Sequence, residues 1–144
     1  MLHSVVALVS VLQSVKMIDK TSSFLVLGFS NGLMKVLKLS KKNFDEDFQK
    51  GSNLSHSIIT MQTLKPHSKN IVCLRFDEGA NLLVTCSYDF TVFFFRRIHN
   101  IFEPLGFFRF SELPKSCDIV RINERLCINM FYKCAIVETF HRLR

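Results

Sequence analysis

The feature that most constrains the fold is a three-strand pattern that recurs along the chain. Its best-formed copy, His67–Arg97, contains apolar runs at Asn70–Phe76, Leu82–Ser87 and Thr91–Arg96. Aromatic and β-branched residues fill these runs, and turn-forming residues separate them, which is typical of antiparallel strands joined by short turns. The pattern predicts an all-β fold built from meandering strands.

The same pattern recurs upstream at a shift of 58 residues and downstream at a shift of 44 residues. The upstream shift aligns Val26 with Val84 without a gap. It also aligns Val36 with Phe94, and the downstream shift aligns Ile128 with Val84. Regular spacing of this kind is typical of repeat architectures in which each unit is one small sheet. We therefore expect about three similar units.

Two stretches carry a family resemblance, LLVTCSYDFTVFFFRR in the central unit and GFSNGLMKVLKL in the first. Both resemble the WD-repeat family, whose unit is one four-stranded antiparallel blade of a β-propeller. The resemblance implies about three blades in the single segment 1–144, which is a partial propeller because closed rings have roughly four to eight blades. It divides the chain into an outer strand of a preceding blade at 1–12, a blade at 13–64 with a loop insert at 41–57, the best-formed blade at 67–110 and a truncated blade at 115–144.

The ends of the chain are assigned from the same repeat. Val5–Leu12 is expected to be the outer strand of the preceding blade, and Val15–Ile18 the innermost strand of the first blade. Cys134–Phe140 is expected to be the third strand of the last blade. The apolar run near the N-terminus is far shorter than the ~20 residues of a membrane span. It lacks the basic start of a secretory signal, so a signal peptide is the weaker alternative and no membrane partner is expected.

The resemblance also implies a structural buttress made of hydrogen bonds. In the family, a His before the first strand, a Ser or Thr on the second, an Asp in the next turn and a Trp on the third form this network. The matching residues are His67, Ser87, Asp89 and Phe95. Since Phe95 has no N–H group, the network should lack the indole hydrogen bond.

A second structural feature is the dipeptide Asn31-Gly32 between two apolar runs. Both residues tolerate positive φ, and this arrangement is a strong signal for a hairpin turn. The first unit is therefore expected to turn at these residues.

His67, Ser87 and Asp89 are also the residue types of a hydrolytic triad. The chain has no nucleophile elbow and no oxyanion loop around them. The sequence therefore predicts a non-catalytic protein with no catalytic residues, no cofactor and no small-molecule substrate.

Charge and cysteine content give little support to other sites. The net charge is +7, but the 19 basic residues are dispersed, whereas nucleic-acid sites concentrate them on one face. The five cysteines lie at 73, 86, 117, 127 and 134 without any CxxC spacing, so we expect buried free thiols and no metal site.

A narrower resemblance concerns function. The run DFTVFFFRR followed by EPLGFFRF resembles the cilia- and flagella-associated WD-repeat proteins of the axoneme. The resemblance implies a scaffold that binds other proteins, such as dynein- and tubulin-associated axonemal components, in the cytoplasm or the cilium. The alternative is a WD-repeat subunit of a nucleolar or RNA-processing assembly, which the net charge of +7 motivates. Binding to RNA would then weaken steeply with salt.

Overall fold

The computed structural model of the chain describes residues 9–15, 22–40, 58–122, 125–132 and 137–141. Eleven β-strands occupy these ranges, and the described residues include no helix. In this part of the chain, accordingly, no helix could cross a membrane. The predicted loop insert at 41–57 lies outside the described residues.

The strands follow one another in chain order. They are β1 Val9–Val15, β2 Ser22–Phe29, β3 Met34–Ser40, β4 Ile58–Leu64, β5 Ile71–Asp77, β6 Leu82–Ser87, β7 Thr91–Ile98, β8 Ile101–Arg109, β9 Ser116–Ile122, β10 Arg125–Phe131 and β11 Val137–His141.

These strands form three antiparallel sheets in which each strand pairs with the next one along the chain. The first sheet is β1-β2-β3-β4, the second is β5-β6-β7-β8, and the third is β9-β10-β11. Every pairing is antiparallel. The all-β class predicted from the sequence is therefore confirmed.

The sheets lie side by side through their first strands, with β5 between β1 and β9. Apolar residues of the first and second sheets form one core: Phe24, Val26, Met34, Val36, Ile71, Leu74, Leu83, Phe95 and Phe102. The second and third sheets share another core: Cys73, Leu82, Val84, Cys86, Val92, Phe94, Cys117, Ile128, Met130 and Tyr132. Because both faces of the second sheet are covered, every residue of β6 is buried.

In the second sheet, burial is greatest on β6 and least on the last strand, β8. All six residues of β6 are buried, whereas Phe102 is the one buried residue of β8. Nothing in the described part of the chain pairs with the free edge of β8. The second sheet therefore has a buried inner side and an exposed outer strand.

The repeat predicted between the first two units is present in the strand register. Val26 is opposite Val36 in the first sheet, and Val84 is opposite Phe94 in the second, as the shift of 58 residues requires. The first and second sheets also carry β-bulges at equivalent positions. The extra residues are Ser10 in β1, Val72 in β5, Met61 in β4 and Leu105 in β8. A bulge adds local twist, so the two sheets are bent in the same way.

The first strand differs from the prediction. The structure places Val9–Val15 in one strand, β1, that pairs with β2, whereas the prediction divided these residues between an outer strand at Val5–Leu12 and an inner strand at Val15–Ile18. Val26 is opposite Gln13, although the ungapped shift would place Met17 there. The chain from Gln13 to its partner Val26 is four residues longer than the chain from Arg75 to its partner Val84, so the repeat does not extend through β1 without a gap. Residues 5–8 and 16–18 lie outside the described residues.

The last strand also differs from the prediction. Phe140 is opposite Ile128, whereas the downstream shift would place Glu138 there. The described part of β11 begins at Val137, and Cys134 of the predicted strand lies outside the described residues. The register differs because the chain from Ile128 to its partner Phe140 is two residues longer than the chain from Val84 to its partner Phe94.

Candidate functional site

The buried polar residues of the second sheet meet around one histidine. His67 lies in the connection between β4 and β5 and is 2% exposed. Thr85 on β6, Asp89 in the following turn and Thr91 at the start of β7 are buried beside it. Burial of a polar group costs free energy unless the group is hydrogen-bonded, so the polar groups of this cluster need hydrogen-bond partners within the protein.

The distances show that both ring nitrogens of His67 are engaged. The Nδ1 atom lies 2.8 Å from Thr91 Oγ1 and 3.3 Å from each carboxylate oxygen of Asp89. The Nε2 atom lies 2.8 Å from Thr85 Oγ1. Asp89 also accepts hydrogen bonds from the backbone N–H groups of Ser68, at 2.9 Å, and Thr91, at 3.0 Å. The network thereby links the connection before β5 to the turn before β7.

The hydrogen-bonding partners assign the proton on the ring. Thr91 donates its hydroxyl hydrogen to Asp89, so its oxygen can only accept from Nδ1. The Asp89 carboxylate is also an acceptor, which makes Nδ1 the protonated nitrogen. Nε2 is then the acceptor for the Thr85 hydroxyl. Burial favours this neutral ring, because desolvation lowers the pKa of His67 despite the nearby carboxylate of Asp89.

The carboxylate of Asp89 is held in its charged form. Burial alone would raise its pKa, but hydrogen bonds from Thr91 and Ser68 and the proximity of His67 outweigh that effect. The pKa of Asp89 therefore lies below its ordinary value. With the ring closed to solvent and both nitrogens hydrogen-bonded, the arrangement holds two segments of backbone together.

Two of the predicted buttress residues, Ser87 and Phe95, do not contact the His67 ring directly. The Ser87 hydroxyl donates to the backbone oxygen of Lys69 at 3.1 Å and accepts from the Asp89 N–H at 3.2 Å. The hydroxyl on β6 that reaches His67 belongs to Thr85, which the sequence analysis missed. Ser87 thus supports the turn rather than the ring.

The aromatic residue in contact with the His67 ring is Phe93, two residues before the predicted Phe95. Phe93 meets His67 edge-on, with ring centroids 5.0 Å apart. Phe95 is 2% exposed and belongs to the core between the first and second sheets. It stacks on Phe93 at 6.1 Å and so supports the ring through that residue.

The predicted turn at Asn31-Gly32 connects β2 to β3 and lies against the histidine connection. Asn31 Oδ1 accepts the N–H of Leu33 at 3.1 Å, and Gly32 has a φ of 81°. A Cβ atom at Gly32 would overlap the carbonyl oxygen of His67. The first sheet therefore packs its turn directly onto the backbone that carries the buried histidine.

The outer strands of the first two sheets expose large apolar side chains. The exposed fractions are 60% for Ile58 and 51% for Ile59 on β4, and 46% for Leu105, 58% for Phe107 and 50% for Phe108 on β8. We call these five the outer-strand residues. Phe107 stacks on Phe93 at 5.0 Å, and Phe108 packs edge-on against Phe94 at 5.7 Å, so the aromatic pair is held in place.

Three arginines of the second and third sheets bind other side chains of the protein. Arg121 forms an ion pair with Asp77 at 2.6 Å, and Arg75 lies 3.7 Å from Asp118. Arg97 donates to the Asn81 side chain and lies over the ring of Phe76. The first two pairs cross from the second sheet to the third. Among the described residues, no group of His, Cys, Asp or Glu side chains is arranged to hold a metal ion.

Comparison with known proteins shows a distant relation. No family model matches the chain. The chain is similar to cilia- and flagella-associated protein 44 of Mus musculus. The two are 26% identical over 100 residues, which is 69% of this chain but 5% of the mouse protein. The similarity therefore indicates a partial relation to a protein that is named for cilia and flagella.

Proposed function

We propose that the chain is a non-catalytic scaffold for protein–protein interaction, part of a WD-repeat β-propeller that belongs to the axoneme of cilia and flagella. The observation that carries the proposal is the exposure of large apolar side chains on the outer strands of repeated sheets. Exposed apolar surface of this kind marks sites where proteins bind one another.

Three features support the sheets as blades of a partial propeller. Each sheet is a meander, and the first strands of the three sheets are neighbours. The first and second sheets carry bulges at equivalent positions in their first and last strands. Burial also decreases from the inner strands to the outer strand of the second sheet. Radial repetition of small sheets has these properties.

The binding mode follows from the chemistry of β8. An exposed strand edge can recruit another strand, but Pro104 has no N–H to donate and Leu105 forms a bulge. Both features disfavour pairing along that edge. The side chains of Phe107 and Phe108 remain accessible on opposite faces of this edge strand, so we infer that a partner with an apolar surface covers the edge of the sheet and contacts both. Aromatic residues are common energetic centres of protein interfaces.

The axonemal part of the proposal rests on the similarity to the mouse protein. Protein partners of the axoneme, including dynein- and tubulin-associated components, would then be the occupants of this surface. The RNA-processing alternative is motivated by the net charge of +7 alone.

A localisation experiment tests the proposal. The tagged chain is expressed in ciliated cells, the membranes are removed with detergent, and the tag is quantified in the axonemal pellet. We expect the wild-type chain to remain in the pellet and the variant Phe107→Ser with Phe108→Ser to be released.

The control is Tyr88→Ser, which removes an exposed aromatic side chain from the turn between β6 and β7. It should behave as the wild type does. Complete release of the wild-type chain would overturn the axonemal proposal, and equal retention of all three chains would overturn the role of the outer strands.

A further inference from the structure

Three buried thiols lie together where the second and third sheets meet. Cys73 on β5 and Cys86 on β6 are directly opposite in the second sheet, and Cys117 on β9 faces them from the third. Their exposed fractions are 3%, 0% and 0%. All three are free in this structure.

Two of these thiols are in direct contact. The Sγ atoms of Cys73 and Cys117 are 3.4 Å apart. The N–H of Cys117 also donates to the Cys73 sulfur at 3.4 Å. The two residues occupy equivalent positions of the repeat, 44 residues apart, and each is on the first strand of its sheet. Side-by-side packing of first strands therefore brings the same position of two units face to face.

The surroundings distinguish the two sulfurs chemically. Hydrogen bonds from the thiols of Cys117 and Cys86 lower the pKa of Cys73. The pKa of Cys117 is raised, chiefly by its hydrogen bond to Cys73. Cys73 accepts hydrogen bonds from both the N–H and the thiol of Cys117 and is the more exposed of the two, so we assign Cys73 as the nucleophile and Cys117 as the resolving thiol.

We propose that Cys73 and Cys117 are an oxidation site that closes to a disulfide when the protein meets a peroxide. The Cys73 sulfur attacks one oxygen of hydrogen peroxide, the O–O bond breaks, and Cys73 becomes a sulfenic acid as the first water leaves. The Cys117 sulfur then attacks the sulfenic sulfur, the S–S bond forms, and the S–O bond breaks as the second water leaves. Two thiols lose two electrons and two protons, and the peroxide accepts both.

The consequence of closure is a covalent tie between two sheets. In the reduced protein, the second and third sheets are held by the shared core and by the ion pairs of Arg75 and Arg121. A bond between β5 and β9 would prevent these sheets from separating. Oxidation would thus replace a non-covalent contact between the second and third sheets with a covalent bond.

The experiment uses the full chain and the different tryptic peptides of the three thiols. The reduced protein is exposed to hydrogen peroxide under native conditions, free thiols are alkylated, and the protein is digested without reductant. Cys73 then lies in the peptide 70–75, Cys86 in 76–96 and Cys117 in 116–121. We expect the peptides 70–75 and 116–121 to be linked, with the loss of two hydrogen atoms, and to separate on reduction.

Matched variants test the assignment. Cys117→Ser should abolish the linked peptide, whereas Cys127→Ser, at a buried cysteine of β10 opposite Val120, should leave its yield unchanged. The oxidised wild-type chain should also melt at a higher temperature than the reduced chain, and reduction should reverse the shift.

Three results under native conditions would overturn the proposal, and none of them depends on the folding of a variant. They are a link between 70–75 and 76–96 as the main product, peptides 70–75 and 116–121 recovered only in alkylated form, or cross-linking between chains. An equal yield of the linked peptide under denaturing conditions would also contradict it, because the native contact would then have no part in the reaction.

Discussion

At the scale of single residues, the buried histidine decides how the second sheet is held together. His67 carries its proton on Nδ1, Asp89 and Thr91 accept it, and Thr85 donates to the other nitrogen. The cluster is fully paired, and removal of one member leaves buried groups without partners. Its contribution to stability is therefore best measured by truncation.

We expect Asp89→Ala to lower the free energy of unfolding by about 1–3 kcal/mol, because the His67 ring and the N–H groups of Ser68 and Thr91 lose their acceptor. Urea denaturation measures this loss. The control is Asp118→Ala, which removes a carboxylate that is 53% exposed and paired with Arg75, and which should cost under about 1 kcal/mol. Equal midpoints for Asp89→Ala and the wild type would contradict the account.

The neutral state of His67 predicts that acid destabilises the fold. Its pKa in the folded chain lies below the ordinary value of 6.5, so the unfolded chain binds more protons once the pH falls below 6.5. The free energy of unfolding should then decrease as the pH falls, until the folded form is protonated too. Well above pH 6.5, where the ring is neutral in both the folded and the unfolded chain, this group should add no pH dependence.

Denaturation from about pH 7.5 to about pH 5 measures that slope in the wild type and in His67→Gln. The variant should have a flatter slope over this range, because the titrating group is gone. The same slope in both proteins would show that the histidine is not the group responsible.

At this scale the sequence identified the histidine and the aspartate but not their hydroxyl partner. Thr85 and Ser87 are two residues apart on β6, so both project from the same face of the strand. The alternation of the strand cannot distinguish them. The same ambiguity applies to Phe93 and Phe95 on β7. The two members of each pair differ in how close their strand positions lie to the His67 ring. That distance depends on the packing of the neighbouring sheet and is not visible in the sequence of the strand.

At the scale of the elements, the turn between β2 and β3 joins the first sheet to the second. Gly32 has positive φ and lies against the backbone at His67. A side chain at this position would meet both a strained backbone conformation and a carbonyl oxygen. The turn therefore depends on glycine for two separate reasons.

We expect Gly32→Ala to destabilise the fold by more than about 1 kcal/mol, since alanine disfavours positive φ and its Cβ would displace the His67 backbone. Gly79→Ala is the control. There the added Cβ would meet the guanidinium of Arg121, the flexible end of a long side chain that can move away. Melting temperatures of the two variants compare the sites, and a larger loss in Gly79→Ala would contradict the packing described for the turn.

The sequence predicted the strands better than the connections between them. Runs such as Leu82–Ser87 have clear ends because turn residues flank them. The extra residues Ser10, Val72, Met61 and Leu105 have no signature of their own, because a bulge is defined by the opposite strand. The position of β1 was missed for a related reason. An ungapped comparison of the repeats cannot reveal extra residues between the paired positions of β1 and β2.

At the scale of the whole molecule, the second sheet belongs to two cores. Leu83 of β6 packs towards the first sheet, whereas Val84 packs towards the third. The loss of either core exposes one face of the same four strands. We therefore expect the described sheets to unfold together.

Leu83→Ala and Met130→Ala test this coupling, because each removes a fully buried side chain from a different core. Each variant should lose about 2–5 kcal/mol of stability while it retains a single unfolding transition. Calorimetry would reveal the alternative, in which each variant splits the transition and moves only one part of it.

The central claim is that the outer strands of these repeated sheets bind an axonemal protein, and its most direct test is binding in vitro. Purified chain is sedimented with demembranated axonemes at increasing concentration, and the bound fraction is measured for the wild type, Tyr88→Ser, and the variant Phe107→Ser with Phe108→Ser. We predict saturable binding by the first two, and binding weaker by about tenfold or more for the third, because aromatic anchors dominate interfaces. Absence of saturable binding by the wild-type chain, or equal binding by all three chains, would contradict the claim.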